Sequence, residues 1–143
     1  MILFDVNVLV YATNVNAVDH RRYLRWFEEL LDGNAAFGVS ELVLSSYLRL
    51  ATNRKILRKP LTIEQAISVT ERIRDRPNCV VIQPGPRHWE IFLDLVRRVK
   101  ARGNLVPDAY LAALAIESGS EWYSTDRDYA KFPGLKWRHP LEE

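Results

Sequence analysis

The sequence predicts an α/β fold in which a short parallel sheet is flanked by helices (α/β/α). Three observations carry that prediction. Short apolar, β-branched runs alternate with longer stretches whose apolar residues recur at helical spacing. The links between them hold the Gly, Pro, Asn and Ser residues that stop one element and cap the next. No internal repeat, low-complexity tract or long linker divides the chain, so residues 1–143 are read as one domain, long enough to bury a core.

Residues 2–5 read as a short buried strand, and 6–13, apolar except for Asn7 and Thr13, as a helix packed deep in the core. Tyr23, Trp26, Phe27, Leu30 and Leu31 recur at helical spacing with Arg, Glu and Asp opposite, and Gly33-Asn34 closes that helix. Ala36–Val39 is the second strand, after which Ser40 stands at the N-cap of a helix running from 41 to about 53. Thr62-Ile63-Glu64-Gln65 has the capping-box pattern and opens a helix carrying Ile63, Ala66, Ile67 and Ile73, which stops at Pro77-Asn78. Residues 79–82 are apolar on both faces, the pattern of a buried parallel strand. Residues 87–101 form an amphipathic helix with Trp89, Phe92, Val96 and Val99 inward, ended by Gly103-Asn104. Pro107 suits the first turn of a helix carrying Leu111, the small pair Ala112-Ala113, Leu114 and Ala115. Gly119 ends it. Residues 121–125 are the fourth strand, Asp126 starts a short helical turn, and Lys136-Trp137-Arg138 adds an edge strand.

Composition narrows the function classes. A hydrophobic content of 48%, a charged content of 27% and a net charge of +2 are those of an ordinary globular domain, and the charge is too mild to signal nucleic acid by itself. No apolar run approaches the roughly 18 residues of a membrane span. The first strand is too short for a secretory signal and lacks a basic lead. The single cysteine, Cys79, excludes an internal disulfide and any multi-cysteine metal site and is read as a buried, inert thiol. The expected setting is the cytoplasm.

Acids at element boundaries carry the functional signal. Asp5 follows Met1-Ile2-Leu3-Phe4, Asp108 lies in Leu105-Val106-Pro107-Asp108-Ala109, and Asp126 in Tyr123-Ser124-Thr125-Asp126-Arg127. In a parallel sheet the carboxyl ends of all strands face one edge, where ligands bind. Asp5 and Asp126 sit at such ends, and Asp108 sits in a helical first turn, where the macrodipole favours negative charge. Each alone reads equally well as a cap or first-turn acid. Capping does not explain the apolar surroundings of Asp5 or the small-residue helix behind Asp108. Together the three read as a cluster that needs a cation, because close carboxylates raise each other's pKa. Oxygen donors without cysteine favour Mg²⁺ or Mn²⁺ over zinc. Metal-assisted phosphodiester hydrolysis is the chemistry such a site suits best.

Asp5-Val6-Asn7-Val8-Leu9, Asn104-Leu105-Val106-Pro107-Asp108-Ala109 and Ser124-Thr125-Asp126-Arg127-Asp128-Tyr129 resemble, in order and spacing, the motifs of PIN-domain ribonucleases, above all the VapC toxins of bacterial VapBC toxin–antitoxin modules. The resemblance spans essentially the whole chain, including Arg49-Leu50-Ala51-Thr52-Asn53. It implies a PIN-like fold and a Mg²⁺- or Mn²⁺-dependent endoribonuclease, the toxin of a type II module, cutting structured RNA such as tRNA. It also implies a homodimer and a VapB-like antitoxin that covers the cleft. By the same resemblance Asp5, Asp108 and Asp126 are catalytic, metal-binding acids, Asn7 orients the Asp5 site, and Asp128 contacts the substrate or the residues around the metal, with a solvated first-turn acid as its other reading. With water as nucleophile, the products carry 5′-phosphate and 3′-hydroxyl ends. The chain departs from the family at one point. The usual fourth acid, on the helix after the second strand, aligns near Ser46, and Glu41, about one and a half turns earlier, is taken as the catalytic replacement, with helix capping as its other reading.

Arg49, Arg54, Lys55, Arg58 and Lys59 place five positive charges in eleven residues without an acid. Because this run begins on the helix that carries Glu41, it is expected to flank the acidic site and hold phosphates, with Arg49, Arg54 and Lys55 foremost. Arg97, Arg98, Lys100 and Arg102 are read as an exposed helix face. His20, His88 and His139 lack a partner pattern, which argues against a histidine-driven ribonuclease, and His88 is read as a surface residue. Tyr110 and Tyr129 are read as core, with stacking on a base as the alternative.

Two other functions remain open. A haloacid dehalogenase-type phosphatase also begins with a strand ending in aspartate, but it needs a second aspartate where Asn7 stands, and Lys131 is a poor match for its lysine. A catalytically degenerate module would bind RNA or a partner without cutting, and the missing acid at Ser46 is its best support.

Overall fold

The structure, a computed structural model, describes residues 1–142. Five three-residue strands, β1 (Ile2–Phe4), β2 (Phe37–Val39), β3 (Cys79–Val81), β4 (Glu121–Tyr123) and β5 (Lys136–Arg138), form one parallel sheet in the order β3-β2-β1-β4-β5. Among the described residues the helices are α1 (Val6–Thr13), α2 (His20–Asp32), α3 (Glu41–Ala51), α4 (Ile63–Arg74), α5 (His88–Val99) and α6 (Leu105–Glu117), followed by a 3-10 turn at Arg127–Lys131. Sheet and flanking helices have the predicted class. No helix among the described residues is long and apolar enough to cross a membrane.

Alternation along the central strand creates two cores. Successive side chains of a strand point to opposite faces. Phe4 therefore packs with Phe27 and Phe37 in the cluster under α1, α2 and α3, while Leu3 joins Trp122, Phe92 and the small side chains of α6 on the other face. Gly38 lets β2 close against this centre, since a Cβ there would lie 2.8 Å from Ile82 Cγ1 and 2.9 Å from Leu3 Cδ2.

Most element ends fall where the caps put them. Thr62 and Gln65 make the reciprocal capping box that opens α4. Ser40 occupies the N-cap of α3, although its side chain caps nothing. Lys100 ends α5 in the left-handed conformation (φ 51°), and α6 starts at Leu105, so Pro107 lies in the first turn, where a missing N–H breaks no helical bond.

Three expectations change. Strand β3 is an edge strand, not a buried one, with Val80 42% exposed and Cys79 only half-buried; it pairs with β2 alone, so its outer edge and part of its apolar surface stay open. On α5 the inward stripe is His88, Phe92 and Leu95, which turns Trp89 outward at 62% exposure. His88 is buried instead, stacked on Phe92, with Nε2 bonded to the Tyr110 carbonyl at 2.9 Å. A satisfied imidazole in an aromatic setting behaves as a core residue.

Two links position the site. Helix α6 runs through Ser118–Ser120 directly into β4, so it is antiparallel to the strands, and its N-terminus lies at their carboxyl edge. The segment between β3 and α5 is tied to the far end of α6, where Glu117 accepts from Gly85 N–H at 2.7 Å and Arg87 N–H at 2.9 Å.

Candidate active site

Three element starts meet at the carboxyl edge of β1 and β4. Asp5 leaves β1 in extended conformation and caps α1, its Oδ1 accepting from Val6 N–H at 2.8 Å. Its Oδ2 accepts from Ser124 Oγ at 2.7 Å and from Asn7 Nδ2 at 3.3 Å. Asn7 Nδ2 also donates to Ser124 Oγ at 3.1 Å, and Asn7 Oδ1 accepts from Thr125 N–H at 3.3 Å. Ser124 accepts again from Asp126 N–H at 3.1 Å. One fully buried hydroxyl thus gives its proton and fills both lone pairs, locking the end of β1 to the end of β4.

Asp126 caps the 3-10 turn, its Oδ1 accepting from Asp128 N–H at 2.9 Å. Asp108, in the first turn of α6, accepts the Tyr129 hydroxyl on Oδ1 at 3.2 Å. Asp5 and Asp126 are therefore caps and cluster members at once, and the two sequence readings coexist.

The carboxylates feel each other. Burial pushes Asp5 above its usual value; the Ser124 and Val6 hydrogen bonds pull it back, and the Asp126 charge adds to the rise. Asp108 is pushed up to about 6, first by burial and then, against the Tyr129 hydrogen bond, by the charges of Asp126, Asp5 and Asp128. Burial, then the neighbouring acids, raises Tyr129, which keeps its hydroxyl protonated as a donor.

A family model described as PIN domain matches residues 2–135. The chain belongs to the PIN-domain family. At full length it is 37% identical over 142 residues to VapC ribonuclease Mb2897 of Mycobacterium bovis, covering 99% of this chain and 97% of that one. It is 36% identical over 143 residues to ribonuclease VapC33 of Mycobacterium tuberculosis, covering all of both chains. This PIN domain therefore stands among the VapC ribonucleases. The structure of VapBC2 from Rickettsia felis, bound to a promoter DNA fragment, matches with a TM-score of 0.70 and 19% identity over 97% of this chain and 98% of that one. Mycobacterium tuberculosis VapC20, described as a sarcin-ricin loop cleaving toxin, matches with a TM-score of 0.64 and 20% identity over 94% and 98%. The fold is the PIN fold that the motifs implied.

This PIN domain brings together Asp5, Asp108, Asp126 and Asn7, and leaves other expected residues outside. Glu41 opens α3 at the same edge, but its exposed carboxylate pairs with Arg74 of α4 at 3.3 Å rather than joining the cluster. Asp128 is exposed and pairs with Lys131 at 3.2 Å; it acts on the site through its backbone N–H and its charge. Arg49 lies eight positions beyond Glu41 in the last turn of α3, which is roughly 12 Å along the axis. Arg54 and Lys55 lie further on, past the C-terminus of α3, in the loop that returns to it where Leu61 N–H donates to the Ala51 carbonyl at 2.8 Å. The basic run thus does not flank the acids. Lys100 and Arg102 stand exposed on the link into α6, whose first turn carries Asp108, and make no ion pair among the described residues.

The sequence reading missed how two residues hold the acids. Ser124 was visible only as the first residue of the third motif. Tyr129 is core, as expected, at 1% exposure, too buried to stack a base, yet its hydroxyl reaches Asp108.

The donor set suits a hard divalent cation: carboxylate oxygens, no sulfur or imidazole, and mutual repulsion that such an ion would relieve. Among the described residues no three acidic, His or Cys side chains already converge as a cage. The two facts are compatible, since charges couple over several ångströms while ligands must close to about 2.0–2.2 Å of the ion.

Proposed function

We propose that this PIN domain is the toxin of a type II toxin–antitoxin pair, a cytoplasmic Mg²⁺- or Mn²⁺-dependent endoribonuclease acting on structured RNA such as tRNA. The observation that carries this reading is the meeting of Asp5, Asp108 and Asp126 at the carboxyl edge of a PIN-family sheet, with Asp5 and Asp108 raised by burial and like charge. Bound there, a divalent ion would lower the pKa of water and offset charge on the phosphodiester oxygens. Asp5, Asp108 and Asp126 are the residues to hold it. Asn7 and Ser124 fix Asp5 Oδ2, and the cap bonds from Val6 and Asp128 orient Asp5 and Asp126. Glu41, released from Arg74, supplies the fourth carboxylate. Lys100 and Arg102 hold backbone phosphates beside the acids, with Arg49, Arg54 and Lys55 as more distant contacts on longer RNA. The ribonuclease names of the relatives and the solved VapBC complexes support RNA as substrate and a VapB-like antitoxin as partner. The homodimer rests on the motif resemblance alone.

Membership in the PIN family leaves the phosphatase reading without support. A non-cutting RNA-binding module keeps one observation in its favour, the engagement of Glu41 by Arg74. Cleavage of labelled structured RNA by wild type, D5N and D126N, with Mg²⁺ or with chelator, separates the two. The expected result is fragments with 5′-phosphate and 3′-hydroxyl ends, no cutting in chelator, and at least a roughly 100-fold loss in either variant with RNA binding kept. Cyclic 2′,3′-phosphate ends, or full activity in chelator, would overturn the mechanism. A wild type that binds RNA but never cuts establishes the module.

A further inference from the structure

Tyr129 connects two of the acids. Its ring is buried at 1% exposure between Trp122, at 5.4 Å between centroids, and Phe132, at 5.9 Å. Its backbone N–H donates to the Asp126 carbonyl at 3.3 Å, which makes it part of the turn that Asp126 caps. Its hydroxyl donates to Asp108 Oδ1 at 3.2 Å, on another element. Asp108 is only half-buried, and a carboxylate on a helix surface rotates freely unless something holds it. The Tyr129 hydroxyl is the one side-chain donor that Asp108 receives among the described residues, and it engages Oδ1 while leaving Oδ2 without a protein partner. Asp126 shows the same division, with Oδ1 engaged by a cap bond and Oδ2 free of protein donors among the described residues.

We infer that Tyr129 is a positioning residue: bound to the Asp126 turn through its backbone and to Asp108 through its hydroxyl, it sets the spacing between these acids and turns one oxygen of Asp108 toward the ligand. This rests on the metal-dependent reading above. Groups of this kind, which touch a ligand residue rather than the ion, typically change metal affinity or activity by about 10–100-fold when removed.

Y129F keeps the ring and its packing and deletes only the hydroxyl. Mn²⁺ titration of the purified protein, by calorimetry or by the free-ion electron paramagnetic resonance signal, is the primary measurement, alongside cleavage kinetics and near-ultraviolet circular dichroism. The expected result is Mn²⁺ binding weaker by about 10-fold or more, a comparable loss in kcat and an unchanged KM for RNA, with the aromatic signature retained. Mn²⁺ affinity and kcat both within about 2-fold of wild type, in a wild type that binds the ion and cuts RNA, overturn the role of Tyr129 alone. A wild type that neither binds Mn²⁺ nor cuts overturns the underlying reading as well. Should Y129F not fold, the ring Cζ resonance of Tyr129 in wild type provides the test: it shifts on Mg²⁺ addition if the hydroxyl serves the site, and an unmoved resonance at saturating Mg²⁺ overturns the inference.

Discussion

Replacing Asp108 by Asn is expected to stabilise the ion-free protein at neutral and alkaline pH while it disables metal binding. The Asp108 carboxyl is pushed from 3.8 to about 6, so the folded chain holds this proton more tightly than the unfolded chain does. Ionisation at this position therefore costs stability: the cost is absent below the unfolded value of 3.8, grows as pH rises, and is complete above about 6. At 1.36 kcal/mol per pH unit the shift sets an upper limit of about 3 kcal/mol. Because the side chain is half-exposed, solvent screening brings the expected gain for D108N to about 1–2 kcal/mol. For a chain of this size that is about 3–8 °C in Tm. The amide keeps an oxygen to accept from Tyr129, so the change isolates charge from packing. Thermal unfolding in chelator, followed by circular dichroism from about pH 4 to 8, measures it. D108N should melt higher near pH 8 and converge on wild type near pH 4. Adding Mg²⁺ should raise wild type, by about 2.7 kcal/mol at 100 times its Kd, and leave D108N behind. A variant that melts at or below wild type near pH 8 in chelator, or an offset that stays constant across the range, refutes the argument.

Three further outcomes are expected. S124A removes the bonds to Asp5, Asn7 and Asp126 in one step and should cost about 1–3 kcal/mol in urea unfolding and about 10–100-fold in cleavage; wild-type cleavage would show that Asp5 needs no such support. K100A/R102A should raise KM with kcat unchanged and flatten the salt dependence by about 0.7 per charge on single-stranded RNA. R54A/K55A should do so less, and the reverse ranking would restore the basic run to the site. G38A drives a Cβ to within 3 Å of Ile82 and Leu3 and should lose about 1–3 kcal/mol in denaturant melts; an unchanged midpoint would mean that the sheet centre yields.

What the sequence revealed follows the range of the interactions concerned. The Thr62–Gln65 box and the Asp5 and Asp126 turns are local bonds between residues at most three apart, and they are legible because nothing distant decides them. Strand order is not local. Residues 79–81 carry the apolar pattern of a buried strand yet stand at an edge, because only the pairing of the whole sheet says which strand has two neighbours. His88 and Trp89 differ by one position and exchange inside for outside, a matter of helix phase set by α6. The three acids were legible as motifs, whereas the Ser124 and Tyr129 contacts that hold them join residues 119 and 21 positions apart. The basic run misled for a geometric reason: residues close to Glu41 in the chain are carried away from it by the helical rise.

Glu117 and Asp108 sit at opposite ends of α6, one clasping the Gly85 and Arg87 amides, the other held by Tyr129. Nine positions of helix separate them, about 13–14 Å of stiff rod. Gly85 has no room for a side chain while the clasp is closed, since a Cβ would meet Glu117 Oε2 at 2.7 Å. A side chain at Gly85 therefore turns the Glu117 carboxylate aside and leaves the Gly85 and Arg87 amides to water, while the buried small side chains of α6 keep Asp108, at the other end, where it is.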